Sequence, residues 1–363
     1  MAVHGLLEKN QVVEFPVLQL ALAAVKARVD PLTVRSLGSA GQDEDVPLLE
    51  IRGPPTEFRV RVLTDKPDYL DWLNAALLRA GVVEPVGLTA VARRLAEYED
   101  IVLGVDTNLL YSCVLGEHLL EEFHRIHARP YKETVNWILL VIPGVVMQEL
   151  ENAANQKKGG NLTHAGRMGY RALQEITTLK RTEAFQGMSV LVVGQTNPEQ
   201  LRLSPDGLTI LNADSLIRDQ FKAFLRGIEF RKGIFFLTMD KTNASMAAAE
   251  GLSALRIQYP RRLRKGDEAS MPREETVLLA RVLYELAVEF GRARVAWNDA
   301  GAHHLDLEGA WTWKSMEHWE AFQLLGSDRD RGFDKIMTRY IGGRFDLRRI
   351  LDVWQELSDA LAE

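Results

Sequence analysis

A chain of 363 residues, 46% hydrophobic and 26% charged, can bury a sizeable core and has the make-up of an ordinary globular protein rather than a fibrous or repetitive one. Its formal net charge of −6 excludes coating of nucleic acid by bulk charge, so a polyanion must be met by a local basic surface or a metal. The one cysteine, Cys113, excludes intrachain disulfides and cysteine zinc sites and points to a reducing cytoplasm.

Residues 1 to 97 read as an α+β segment. Val17, Leu18, Leu20, Leu22 and Val25 predict a helix. The surrounding apolar piece, broken by Gln19 and closed by Lys26, falls short of the roughly 20 residues of a membrane span and does not begin like a secretory signal, so no membrane partner is expected. Ser36 to Asp45, rich in Gly and acid, predicts an exposed loop. Leu48 to Arg52 and Phe58 to Leu63 predict two strands around Gly53-Pro-Pro55, and Pro67 to Ala80 an amphipathic helix. The alternation Phe58-Arg-Val-Arg-Val-Leu63 puts Arg59 and Arg61 on a wet face, which reads as a solvated sheet surface ahead of a phosphate site.

From Asp100 the pattern becomes strand, helix, strand. Ile101 to Val105 is an apolar run of the kind a strand buried on both faces shows, and Ile138 to Ile142, Ser189 to Val193, Ile234 to Thr238 and Leu255 to Tyr259 are further buried-strand candidates. Alternation with helices implies an α/β domain over about 98–260 with a central parallel sheet. Arg261 to Lys265 and Gly266 read as a linker opening a C-terminal α+β segment, 261–363. That segment predicts a helix over Thr276 to Phe290, a hairpin over Arg294 to Trp313, and further helical sequence after Trp311, Trp313 and Trp319. The terminal segments hold few strands each, and isolated hairpins are marginal in water. They are therefore expected to pack as one flanking α+β domain around helix 276–290, which would help position substrate, with Trp311 and Trp313 in its core or stacked on bases.

Four acids stand just past a buried strand or at the start of a helix. Asp106 ends the first strand, Glu149 lies on the helix opened by Pro143-Gly144, Asp214 begins an amphipathic helix, and Asp240 follows Phe235-Phe-Leu-Thr-Met. In an open α/β sheet that edge is where ligands collect. Taken singly, each has a plainer reading: Asp106 and Asp214 as N-caps, Glu149 as an exposed helix acid. Taken together, carboxylates gathered at one place repel one another unless a cation neutralises them. Oxygen-only ligation suits Mg²⁺ or Mn²⁺ rather than zinc. Such ions acidify a water and steady the leaving oxygen in phosphodiester hydrolysis.

The motifs Val105-Asp106-Thr-Asn-Leu109, Glu149-Leu150, Asp214-Ser-Leu-Ile217 and Thr238-Met-Asp240-Lys-Thr-Asn243, in that order, resemble those of the PIN-domain nucleases. The resemblance implies a PIN-like three-layer α/β/α sandwich with Asp106, Glu149, Asp214 and Asp240 as metal ligands. It also implies that Asn108, Thr238 and Asn243 hold those carboxylates in place. Against the family the domain looks enlarged around Leu115 to Trp137 and Asn161 to Gly187. The implied activity is a divalent-metal-dependent endoribonuclease cutting single-stranded RNA. The alternatives are an inactive or weakly active RNA-binding or assembly module, and a structure-specific DNA nuclease. Self-association into a homo-oligomer is left open.

Lys157, Lys158, Arg167 and Arg171 form a basic stretch after Glu149 that reads as a phosphate-tracking loop or as solvated side chains. Asp219 lies about 140° around the helix from Asp214 and is expected to face solvent. His164, His303 and His304 lack acids or cysteines at ligand spacing and read as surface or core residues. No Gly-x-Gly-x-x-Gly turn or Walker lysine supports a nucleotide enzyme. Position 108 carries Asn instead of the second Asp an aspartyl-phosphate phosphatase would need. If the acids repel in the metal-free fold, Asp106→Asn and Asp240→Asn should leave stability equal or slightly higher.

Overall fold

The computed structural model describes residues 11–14, 31–38, 45–53, 58–127, 137–158, 161–181, 188–194, 213–227, 233–270, 279–297, 303–309 and 321–327. The chain divides into two units, Met1–Val83 with Arg262–Glu363, and Glu84–Arg261. Elements are numbered along the whole chain.

In the terminal unit, alternation of apolar and polar residues produces strands with one dry face, and such strands pair antiparallel into a single sheet. Its order is β1 (Gln11–Glu14), β15 (Ala321–Ser327), β14 (His303–Gly309), β13 (Arg292–Trp297), β2 (Leu32–Ser36), β3 (Val46–Arg52), β4 (Arg59–Val62) and β12 (Glu268–Ser270). N-terminal and C-terminal residues meet at β2 and β13, where Val34 stands opposite Val295 and Ser36 opposite Ala293. Leu32, Val34, Ile51, Val60, Val62, Ala293 and Val295 are buried. Helices α1 (Pro67–Arg79) and α9 (Leu279–Phe290) pack on one another, with Tyr69 and Trp72 edge-on to the Phe290 ring at centroid distances of 5.3 and 5.8 Å. Between these helices a buried guanidinium, Arg79, donates to Glu285 at 2.8 Å and also to Glu289. Arg59 and Arg61 lie on the wet face as the alternation predicts, Arg61 standing opposite both Glu50 and Glu268.

Several elements depart from the sequence reading. Strand β2 precedes the predicted loop, and β12 follows the predicted linker; both are short and owe their form to ladder partners distant in sequence. Strand β15 occupies a stretch read as helical, held between β14 and β1. The predicted helix at 17–25 and Trp311, Trp313 and Trp319 lie outside the described residues.

The second unit is built on a five-stranded parallel sheet, ordered β11 (Ala254–Arg256), β10 (Ile234–Thr238), β5 (Asp100–Val105), β6 (Trp137–Pro143) and β9 (Met188–Val193). Parallel neighbours need crossovers, and helices supply them, giving the α/β/α layering the sequence implies. The central strands are dry: Ile101, Val102, Leu103, Val105, Phe236 and Leu237 are all fully buried. Residues 84–97, grouped by sequence with the N-terminal segment, cluster here instead: Val86 exchanges backbone hydrogen bonds with Gln258 at 2.9 Å, and Thr89 on α2 (Leu88–Leu95) donates to Glu122 at 2.8 Å.

Helix α3 (Thr107–Tyr111) follows β5 at once; a π-helical turn (Leu115–Leu120) and α4 (Glu121–His127) fill part of the first enlarged stretch. Helix α5 (Gly144–Ala154) follows β6, and the 18-residue α6 (His164–Arg181) fills part of the second. Gly169 lets α6 approach α5 closely, since a Cβ there would meet the Ala154 backbone nitrogen at 2.4 Å. Helix α7 (Ala213–Arg226) comes down on the central strand at Gly104, where a Cβ would lie 2.7 Å from the Phe221 ring. Helix α8 (Lys241–Ala249) closes the crossover from β10 to β11.

Candidate active site

Asp106 is the first residue beyond β5 and the N-cap of α3, its Oδ1 accepting from the Thr107 N–H at 2.7 Å. Its Oδ2 accepts from Thr238 Oγ1 at 2.6 Å, Asn243 Nδ2 at 2.7 Å and Asn108 Nδ2 at 3.0 Å. The cap reading therefore holds for this side chain, which is 3% exposed. This bears on the expectation that Asp106→Asn is harmless to stability: an amide would aim its own donors at donors.

The neighbouring strand end is tied in by the same groups. Asn108 Oδ1 accepts from the Met239 N–H at 3.0 Å, and Thr238 Oγ1 accepts from the Asp240 N–H at 3.0 Å. Asp240 is exposed and caps α8 by accepting from the Asn243 N–H at 2.7 Å. Asn108, Thr238 and Asn243 thus join the ends of β5 and β10 around the Asp106 carboxylate.

Glu149 sits on the second turn of α5 and takes a hydrogen bond from Thr107 Oγ1. Burial pushes its carboxyl above the ordinary value of 4.5; the Thr107 bond opposes this, and the Asp106 and Asp214 charges add to it. Asp214 lies in the first turn of α7. Burial raises its carboxyl above 3.8, helped by Asp106 and Asp240 and opposed by Arg218. Gln220 of the same helix accepts from the Val145 N–H at 3.1 Å, linking α7 to the first turn of α5. The phenol of Tyr111 is also raised, by burial first and then by Glu149.

Charge acts among the acids: Asp106 and Asp214 both raise Glu149, and Asp106 and Asp240 both raise Asp214. As donors they fit a hard divalent cation in atom type and in charge. Among the described residues, no group of three or more His, Cys, Asp or Glu side chains is placed to hold a metal ion. Other expected residues fall elsewhere. Lys157 and Lys158 are exposed on β7 (Lys157–Lys158), which pairs with β8 (Asn161–Leu162). Arg167 and Arg171 correct the reading of a basic patch: both are buried on the inward side of α6, at 4% and 6% exposure, and cannot track a phosphate chain from there. Asp219 is open to solvent and pairs with Lys222 at 2.8 Å, as its helical position predicts. His164 opens α6, and His303 and His304 lie in β14.

Sequence reasoning passed over Thr107, which touches both Asp106 and Glu149, and Arg218, which reaches Asn243. Thr107 was adjacent to Asp106, and Arg218 lies one helical turn past Asp214, so periodicity held a signal for each. Nothing in sequence pointed to Glu250, brought to Arg218 by the fold.

A parallel sheet flanked by helices, with Asp106 and Asp240 just past the carboxyl ends of two neighbouring strands, defines an α/β/α domain. Residues 105–258 match the family model of the PIN domain, and this middle section is a PIN domain. No curated protein matches the chain. Among solved structures the chain is similar to a domain of a functionally unknown protein from Methanocaldococcus jannaschii DSM 2661, at 20% identity and a TM-score of 0.31, covering 46% of this chain and 96% of that one. No described helix is long and apolar enough to cross a membrane.

The raised carboxyls carry a pH signature. Glu149 and Asp214 keep their protons to higher pH in the fold than in the unfolded chain, so folding takes up protons between the two values. Their stabilising contribution is complete below the unfolded values and is lost as pH rises through the folded ones. In chelator, thermal melts from about pH 4 to pH 8 should therefore show Glu149→Gln gaining stability relative to the unsubstituted protein as pH rises. Parallel curves would sink this.

Proposed function

We propose that the PIN domain is a divalent-metal-dependent endonuclease that hydrolyses single-stranded RNA, with Asp106, Glu149, Asp214 and Asp240 holding Mg²⁺ or Mn²⁺. What supports the reading is that Asp106 and Asp240 follow two neighbouring parallel strands at one sheet edge, and that charge from Asp106 and Asp214 helps raise Glu149 and charge from Asp106 and Asp240 helps raise Asp214. A divalent cation, when bound, supplies Lewis acidity that acidifies a water and offsets the phosphate charge. The protein's own part is to hold the acids: Thr238, Asn108 and Asn243 orient Asp106, and Thr107 orients Glu149. Lys157 and Lys158, exposed just beyond the helix that carries Glu149, are suited to phosphate contact. RNA as the polymer follows from the resemblance to PIN-domain nucleases.

A second reading, a PIN domain that binds RNA without cutting it, draws support from the lack of three convergent ligands among the described residues. Incubating the full chain with labelled single-stranded RNA and with DNA, in Mn²⁺, Mg²⁺ or chelator, separates the readings. Metal-dependent internal cuts in RNA are expected. Cleavage of DNA alone would shift the substrate, and retention of RNA without cleavage in any metal would overturn the nuclease reading.

A further inference from the structure

Arg218 is 2% exposed and lies on α7 one turn beyond Asp214. Its Nη1 donates to Asn243 Oδ1, its Nε to Glu250 Oε1 at 2.9 Å and its Nη2 to Ser215 Oγ at 3.4 Å. Asn243 is 1% exposed and donates through Nδ2 to Asp106 at 2.7 Å. We propose that Arg218 is a positioning residue of the acidic site, acting through Asn243 to set the direction in which Asp106 presents its carboxylate to a divalent cation. The proposal rests on the metal-dependent reading above.

A buried amide can turn either end toward a neighbour, and its environment decides which. A guanidinium only donates and a carboxylate only accepts, so Asn243 satisfies both in one orientation alone, oxygen to Arg218 and nitrogen to Asp106. Without Arg218 the buried oxygen loses that donor, and the reversed amide, which aims its oxygen at Asp106, is no longer opposed from the other side. The guanidinium is itself anchored: Glu250 accepts from it and from Lys222 Nζ at 2.8 Å. A chain of contacts thus runs from the outer side of α7, through Glu250, Arg218 and Asn243, to Asp106. Arg218 reaches Asp106 by way of Asn243, and its charge also acts on Asp214; both acids are proposed cation ligands. The effect of changing Arg218 or Glu250 should therefore fall on metal affinity and turnover and not on RNA binding.

The test is Mn²⁺ titration by calorimetry on the full chain, with cleavage kinetics alongside. Arg218→Met should weaken Mn²⁺ binding roughly tenfold and lower kcat with KM for RNA unchanged. Asn243→Ala should do the same, and the double variant should be no weaker than the worse single one, because both changes break one path. Arg218→Lys, keeping the charge but losing the planar fork, should recover part of the loss. Multiplying losses, or Arg218→Met binding Mn²⁺ like the unsubstituted protein, would overturn the proposal while leaving the nuclease reading standing. If Arg218→Met fails to fold, Glu250→Gln decides: a smaller loss of Mn²⁺ affinity in the same direction is expected, and an unchanged affinity overturns the proposal. An unsubstituted protein that neither binds Mn²⁺ nor cuts RNA overturns both.

Discussion

Asp240→Asn is expected to lower the cleavage rate by more than about a hundredfold with little change in melting temperature, whereas Asp106→Asn should lose both rate and stability. Loss of a proposed ligand should exceed the roughly 10–100-fold typical of its outer partners. The contrast in stability follows from the hydrogen bonds. Asp240 is exposed and caps α8 through one oxygen, a bond the carbonyl of Asn can accept, since Asn and Asp cap helices about equally well. Removing its charge also relieves repulsion on Asp214. Asp106 is buried, and its two oxygens accept from Thr107, Thr238, Asn243 and Asn108. An amide there must turn its NH₂ toward either Thr107 or the other three donors, at a cost of about 1–3 kcal/mol. Thermal melts in chelator, paired with single-turnover cleavage in Mn²⁺, read both quantities. An Asp106→Asn protein as stable as the unsubstituted one would show that these bonds do not hold the carboxylate. Cleavage by Asp240→Asn within tenfold of the unsubstituted rate would remove Asp240 from the ligand set.

Arg79→Met should destabilise the terminal unit by about 3–5 kcal/mol, the range for breaking a buried ion pair from one side. Arg79, Glu285 and Glu289 are each no more than 2% exposed, and the guanidinium serves both carboxylates. Methionine fills much of the space but leaves two buried acids without the cation that both are bonded to. Pairing the change with Glu285→Leu and Glu289→Leu should restore most of the loss, because a well-packed apolar group replaces a buried ion cluster at little cost. Trp72 lies against Phe290 on the adjoining helix, so denaturant unfolding followed by tryptophan fluorescence reports on this region. A loss below about 1 kcal/mol for Arg79→Met alone would mean that the cluster is not held by this pairing.

The sequence by itself determined the second unit's sheet. Strands buried on both faces need unbroken apolar runs, and Ile101 to Val105 and Ile234 to Thr238 are such runs, with an Asp directly past the first and two residues past the second. The same local logic made Asp106 legible as an N-cap and put Asp219 toward solvent, since capping and helical phase depend only on near neighbours, whereas Asp214, also read as a cap, lies inside the first turn of α7. Arg59 and Arg61 were readable for the same reason, a two-residue period with one dry face.

What only the tertiary structure decided was everything set by partners far away in the chain. Strands β2, β12 and β15 carry weak local signals and exist through the ladders they join. Arg167 and Arg171 are chemically indistinguishable in sequence from surface arginines, and it is the close approach of α6 to α5 at Gly169 that goes with their burial. The Arg218 to Asn243 to Asp106 path joins three elements, and Glu250 enters it from a fourth position. A hydrogen bond between side chains depends on the distance between them in space, which spacing along the chain does not encode once a sheet has been folded between them.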